Sequence, residues 1–166
     1  MPSATRFALV TGSSRGIGRA IALAHAERGH AVAVHYHTRE KAAEEVLAQI
    51  RARGADGFTV SANLTQVDEI RRMLARVDAE FGALDVLVTN ARPDLPGFYQ
   101  PPMELTIPAW DVAVDSQATA FLVAVQTSAA LLRDGGRIIV ITYSPSTRYG
   151  SWQPWAAAAL GSDGSR

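Results

Sequence analysis

The stretch Thr-Gly-Ser-Ser-Arg-Gly-Ile-Gly at residues 11–18 has the composition and spacing to hold a phosphate. It lies between a short apolar run at residues 6–12 and a segment of helical periodicity that opens at Gly16. In that setting Gly12 allows a tight exit from the strand. Gly16 lets the backbone come close to a diphosphate, and Gly18 lets the helix pack tightly on the sheet. Free amides at the start of the helix, helped by the helix dipole, favour negative charge. Ser14, Arg15 and Ile17 complete this candidate binding turn. The chemistry implied is recognition of a dinucleotide's diphosphate, mostly by backbone.

A second cluster speaks to which dinucleotide. The run Val-His-Tyr-His-Thr-Arg-Glu at residues 34–40 has no carboxylate before Glu40. An NAD-preferring site usually ends this strand with an acid for the ribose hydroxyls. Here Arg39 is available instead, and Arg15 lies within the Gly-rich turn. Two guanidinium groups could clamp a 2′-phosphate, so NADP(H) is expected over NAD(H). His35 and His37 are expected on the surface near the adenosine end, with His37 in the cofactor set. Two imidazoles without a third ligand make a poor metal site, and no metal is expected.

The elements that must position these residues alternate in type. Apolar runs at 6–12, 31–36, 57–62, 83–90 and 137–142 read as strands. Between them, residues 16–30, 39–54 and 66–82 read as amphipathic helices. Their inward faces are expected to be Ile17, Ile21, Ala24 and Ala26, then Ala42, Val46 and Ile50, then Val67, Ile70, Leu74, Val77 and Phe81. A long, weakly charged helix is expected over 108–136. The alternation implies a Rossmann-like doubly wound α/β fold, a parallel sheet of five strands between two helical layers. Residues 1–150 form the expected dinucleotide-binding domain, and 151–166 an irregular tail.

Composition narrows the classes. With 48% hydrophobic and 19% charged residues, a chain of 166 residues can build a packed core, which excludes global disorder. Sixteen basic residues balance sixteen acidic ones, which argues against a nucleic-acid-binding surface. The absence of cysteine removes disulfides, thiolate metal sites and cysteine nucleophiles. No signal-like start and no apolar run near the roughly 18 residues of a membrane span is present, so a cytoplasmic protein is expected.

The pattern T-G-x-x-x-G-x-G after the first strand resembles the short-chain dehydrogenase/reductase family. Further matches follow. Ala62 to Thr65, Ala-Asn-Leu-Thr, falls where the family usually has an Asp-containing turn at the adenine; Asn63 replaces that Asp, with Leu64 beside it. Val88 to Arg92, Val-Thr-Asn-Ala-Arg, resembles the family's Asn-Asn-Ala-Gly at Asn90 and Ala91. The resemblance covers about residues 6–150. It implies the strand order 3-2-1-4-5 and hydride transfer between NADP(H) and a carbonyl or an enoyl thioester. It also implies pairing with a second copy through the helix at 110–133.

The resemblance implies a proton-donating Tyr with a neighbouring Lys that lowers its pKa. The only lysine is Lys41, on the helix after the second strand, and Trp155 stands where the Tyr is expected. The long-helix Asn of the family aligns with Gln117, and the supporting Ser with Thr142, Tyr143 or Ser144. In a divergent branch similar to enoyl-thioester reductases, Tyr143 or Tyr149 is the candidate acid, polarised by Arg148. The catalytic candidates are therefore Tyr143 and Gln117. The competing expectation is a catalytically silent nucleotide-binding protein.

Overall fold

A computed structural model describes residues 5–92 and 102–142. Among the described residues are five strands and five α-helices. They are β1 (Phe7–Val10), α1 (Gly16–Ala26), β2 (Ala31–Tyr36), α2 (Glu40–Ala52), β3 (Gly57–Ser61), α3 (Val67–Phe81) and β4 (Leu84–Thr89), followed by α4 (Ile107–Val114), α5 (Ala120–Ser128) and β5 (Leu132–Val140). A 3-10 turn at Pro102–Glu104 precedes α4, and a π-helical turn at Asp115–Thr119 joins α4 to α5. All pairings are parallel and the strand order is β3-β2-β1-β4-β5. Fold class and order are those the sequence implies.

Strand alternation divides the core into two layers, because successive side chains leave opposite faces of a sheet. Ala8, Val10, Val32, Val34, Val86 and Val88 meet Ala22 and Ala26 of α1 and Val46 and Ile50 of α2. Leu9, Ala33, Leu84 and Leu87 face the other way, onto Ile70, Leu74 and Val77 of α3 and Ala120 and Ala124 of α5. The mouth of the α3 layer is closed by Phe81, stacked on Phe7 at 4.7 Å and edge-on to Phe58 at 5.0 Å.

Four details differ from the sequence reading. The buried stripe of α1 is Gly18, Ala22 and Ala26, whereas Ile17 is 64% exposed. The close approach of Gly18 to the sheet sets this phase and turns Ile17 outward. On α2 the stripe runs through Ala43, Val46, Leu47 and Ile50, with Ala42 only half-buried. The single helix expected over 108–136 is interrupted by the π turn and stops at Ser128. β5 begins earlier than expected, at Leu132. Its register against β4 jumps from Leu84↔Leu132 to Val86↔Arg137, accommodated by Gly135 at φ +79°.

Candidate functional site

The Gly-rich turn crosses the C-terminal ends of β1, β2 and β4, the rim where open α/β sheets bind ligands. Gly16 has φ +55°, and a Cβ added there would meet nothing within 4 Å, so the backbone faces open space. Arg15 is the N-cap, and the first turn of α1 carries no acidic residue. The first bond of the α1 ladder runs from the Arg19 N–H to the Arg15 carbonyl at 3.1 Å. The amides of Gly16, Ile17 and Gly18 therefore precede the ladder and point out of the helix end. This opening suits a diphosphate: backbone donors and a positive dipole end, with no competing carboxylate. Gly18 plays the packing part expected of it. A Cβ there would sit 2.4 Å from the Gly12 carbonyl oxygen and 2.5 Å from Asn90 Nδ2.

A polar network holds the turn in place. Thr11 Oγ1 accepts the Asn90 and Ala91 backbone N–H groups at 2.9 and 3.1 Å. Asn90 Nδ2 donates to the Thr11 carbonyl at 2.9 Å and more distantly to that of Gly12. Asn90 thus ties β4 to the turn. On the other side, Ser13 Oγ donates to the Val10 carbonyl at 2.7 Å and accepts the His35 N–H at 3.0 Å. Ser13 and His35 are not in the expected cofactor set, and Thr11 enters the sequence reading only as the first residue of the T-G-x-x-x-G-x-G pattern.

His35 is the clearest correction. Expected on the surface, it is 2% exposed. Its Nδ1 accepts the Gly12 N–H at 2.9 Å and its Nε2 lies 3.0 Å from the Ala62 carbonyl. Burial pushes its pKa down to about 4, against a smaller upward pull from the Ala62 hydrogen bond and a slight further lowering by His37. The signal was present in the alternation of β2: His35 shares a face with Ala33, two residues earlier, which lies in the α3 and α5 core. Its place near a strand end disguised it.

At the adenosine end, Asn63 Oδ1 accepts from the Thr65 N–H and hydroxyl at 3.1 and 3.0 Å, and the Asn63 N–H donates to Glu69 at 2.7 Å. Asn63 therefore shapes its own turn after β3. His37, Arg39 and Arg15 are exposed around the same end. The Tyr36 hydroxyl donates to Glu40 at 3.2 Å. Burial first, then Glu40, holds that phenol above its usual pKa.

Beyond the turn, a mostly apolar cleft of about 390 Å³ opens between the ends of β4 and β5 and the π turn. Thr11, Leu64 and Ala91 line its end nearest the Gly-rich turn; Thr89, Gln117 and Thr142 line it further along. Widening a helix by a π turn leaves carbonyls to be re-satisfied. Here Gln117 Nε2 and Ser116 Oγ both donate to the Ala113 carbonyl, at 3.2 and 3.4 Å. Tyr143, Ser144, Arg148, Tyr149 and Trp155 lie outside the described residues. Among the described residues, no group of three or more His, Cys, Asp or Glu could hold a metal ion. No described helix is long and apolar enough to cross a membrane.

Residues 6–159 match the sequence model of the short chain dehydrogenase family. The chain belongs to that family. The 3-oxoacyl-[acyl-carrier-protein] reductase FabG of Staphylococcus aureus strain Mu50 is 52% identical over 87 residues, which is 52% of this chain and 35% of the relative. FabG of Staphylococcus epidermidis strain RP62A is 39% identical over 137 residues, 81% of this chain and 55% of the relative. The chain thus spans between about a third and about half the length of these curated relatives. Among solved structures, the landomycin C-6 ketoreductase LanV with bound NADP and rabelomycin superposes with a TM-score of 0.81 at 38% identity, over 94% of this chain and 64% of that one. The reductase LugOII of lugdunomycin biosynthesis gives 0.82 at 38% identity, over 97% and 71%.

Proposed function

We propose that the chain binds NADP(H) and serves hydride transfer to a carbonyl, as a reductase of the short-chain type. The observation that carries this reading is the open backbone at Gly16, directly joined through Thr11 and Ala91 to the apolar cleft. One face of that path suits a diphosphate and the other an uncharged ring and its substrate. Gly12, Ser14, Arg15, Gly16, Ile17 and Gly18 would take the diphosphate end. The exposure of Ile17, unusual for its size, fits apolar contact with a bound dinucleotide. Asn63, Leu64 and His37 would border the adenosine, and Asn90 and Ala91 the passage to the cleft.

The preference for NADP(H) rests on Arg15 and Arg39 and on the lack of an acid at the end of β2, where Glu40 is engaged by Tyr36. LanV and the short-chain dehydrogenase of Burkholderia cenocepacia were both solved with NADP, which supports the same choice. The named relatives are reductases of keto groups, which favours a carbonyl over an enoyl thioester. When bound, the cofactor supplies the hydride. The chain's own contribution would be to orient it and to exclude water from the cleft, with Gln117 on the cleft wall and Tyr143 the proposed proton donor.

A second reading is binding without turnover. It is favoured by Lys41, the one lysine, which is exposed on α2 beside the β2–β3 side of the sheet rather than the cleft. Titration with NADPH, followed by nicotinamide absorbance in the presence of ketones and of crotonyl thioesters, separates the two. Oxidation of NADPH by ketones is expected. Binding without any oxidation would leave the second reading, and Gly16→Asp binding NADPH as well as the unaltered chain would remove the diphosphate assignment.

A further inference from the structure

We propose that His35 is a positioning residue for the phosphate-binding turn. Its neutral imidazole, accepting at Nδ1 and donating at Nε2, fixes Gly12 and thereby aims the first amides of α1. The inference rests on the dinucleotide reading above and adds a residue to it.

The tautomer is set twice over. Nε2 faces the Ala62 carbonyl, which can only accept, so Nε2 carries the proton. Nδ1 faces the Gly12 N–H, which can only donate, so Nδ1 carries none. Each partner independently demands the same neutral ring. The backbone adds two more ties: the Ser13 N–H donates to the His35 carbonyl at 3.0 Å, and the His35 N–H donates to Ser13 Oγ at 3.0 Å. Residues 12 and 13 are therefore both fastened to β2, while Ala62 fastens the ring to the end of β3.

Gly12 is then in contact with the binding helix itself. Gly18, two residues into α1 from Gly16, is pressed so closely on the Gly12 carbonyl that no Cβ fits between them. On its other side Gly12 abuts Ala91, whose Cα would lie 2.9 Å from an added Cβ. A displacement of Gly12 must move either α1 or the end of β4. The imidazole holds Gly12 at the junction of both. Volume alone does not explain the choice of residue: an aliphatic side chain would fill the same space without the cost of burying an imidazole. What it would lack is an acceptor for the Gly12 amide.

The test uses three variants of the full chain. His35→Asn keeps an acceptor on Cγ, where Nδ1 is attached, and loses the reach to Ala62. His35→Gln does the reverse, and His35→Leu removes both. Gln and Leu are expected to weaken NADPH binding about tenfold or more, the scale of one buried hydrogen bond. Asn is expected to restore affinity to within about threefold of the unaltered chain. Asn and Gln are expected to lower the melting temperature by similar amounts, since each leaves one buried backbone group unpaired. Equal NADPH affinity for Asn and Gln, or affinity that merely follows melting temperature across the three, would overturn the proposal.

Nitrogen-15 spectra of the unaltered chain provide a measurement independent of how the variants fold. Nδ1 is expected unprotonated, and NADPH is expected to move the His35 Nδ1 and Gly12 amide resonances together. A protonated Nδ1, or an Nδ1 resonance that NADPH leaves still, would overturn the proposal. Failure of the unaltered chain to bind NADPH would instead overturn the dinucleotide reading, and the protonation of Nδ1 in its spectra would still decide the tautomer.

Discussion

The two sides of the sheet are built to different standards. At β1 and β2 the strands are covered on both faces: Ala31 to His35 are all buried, and the turn above them is tied by Thr11, Ser13, His35 and Asn90. At β5 and just beyond it, Ile138, Ile139, Val140 and Ile141 are each 37–46% exposed. The contrast is sharpest across one pair of neighbours, where Leu87 of β4 is fully buried and Ile138 of β5, its register partner, is 37% exposed. The difference teaches that the Gly-rich turn proposed to hold the dinucleotide is fastened to β1, β2 and β4. The cleft borders the less covered edge.

Mutations and pH can break that contrast or sharpen it. Gly18→Ala should have the largest effect, destabilising by about 4 kcal/mol, above the usual overpacking range because a backbone carbonyl blocks the methyl. Urea unfolding measures this, and NADPH binding should vanish with it. A loss under 1 kcal/mol would mean that α1 can slide on the turn. Leu87→Ala should cost about 3 kcal/mol as a fully buried truncation.

Acid should act on the well-covered side through His35. Its folded pKa of about 4 lies below the unfolded value of 6.5, so the neutral form carries the stability. That contribution is complete above pH 6.5 and is lost as pH falls towards 4, amounting to about 3 kcal/mol. Burial also lowers the pKa of His25 and His30, which act in the same direction. Urea unfolding from pH 7.5 to 4.5 should show the decline, and His35→Asn should flatten it. An equally steep decline in that variant would place the effect elsewhere.

Smaller effects follow at the edge and at the adenosine end. Arg39→Ala should weaken NADPH by about 1 kcal/mol more than NADH, read by parallel titrations, and equal losses would remove the basis for preferring NADP(H). Ile138→Ala should cost about 1 kcal/mol or less, since a third of its surface is already in water. A value matching Leu87→Ala would erase the contrast between the two strands.

What the sequence made legible follows the same division. The alternation of elements, most of the buried stripe of α3 and the Gly-rich turn are carried by patterns short in sequence, whereas the strand order comes with the family resemblance. Gly12 and Gly18 are visible in this way by type and spacing, and Asn90 through the resemblance, although its partner Thr11 is 79 residues away. The hydrogen-bonding roles of Thr11, Ser13 and His35 are not visible, because they join residues 22 to 80 positions apart. Ile17 faces outward for a related reason: helical periodicity gives a stripe, but the contact of Gly18 with Gly12 chooses its phase. The interruption between α4 and α5 left no mark, since Asp-Ser-Gln-Ala-Thr contains neither Gly nor Pro.

That interruption makes the stretch between Ala113 and Ala120 sensitive to its length. An α-helix advances by about 100° per residue and the π turn already accommodates about one extra residue, so a further insertion there would swing Ala124 and Ser128 a quarter-circle or more away from the sheet, whereas removing one residue would restore an ordinary helix. Exchanging one side chain for another there would leave the swing untouched. Insertions, rather than substitutions, are the changes to which this wall of the cleft is most vulnerable.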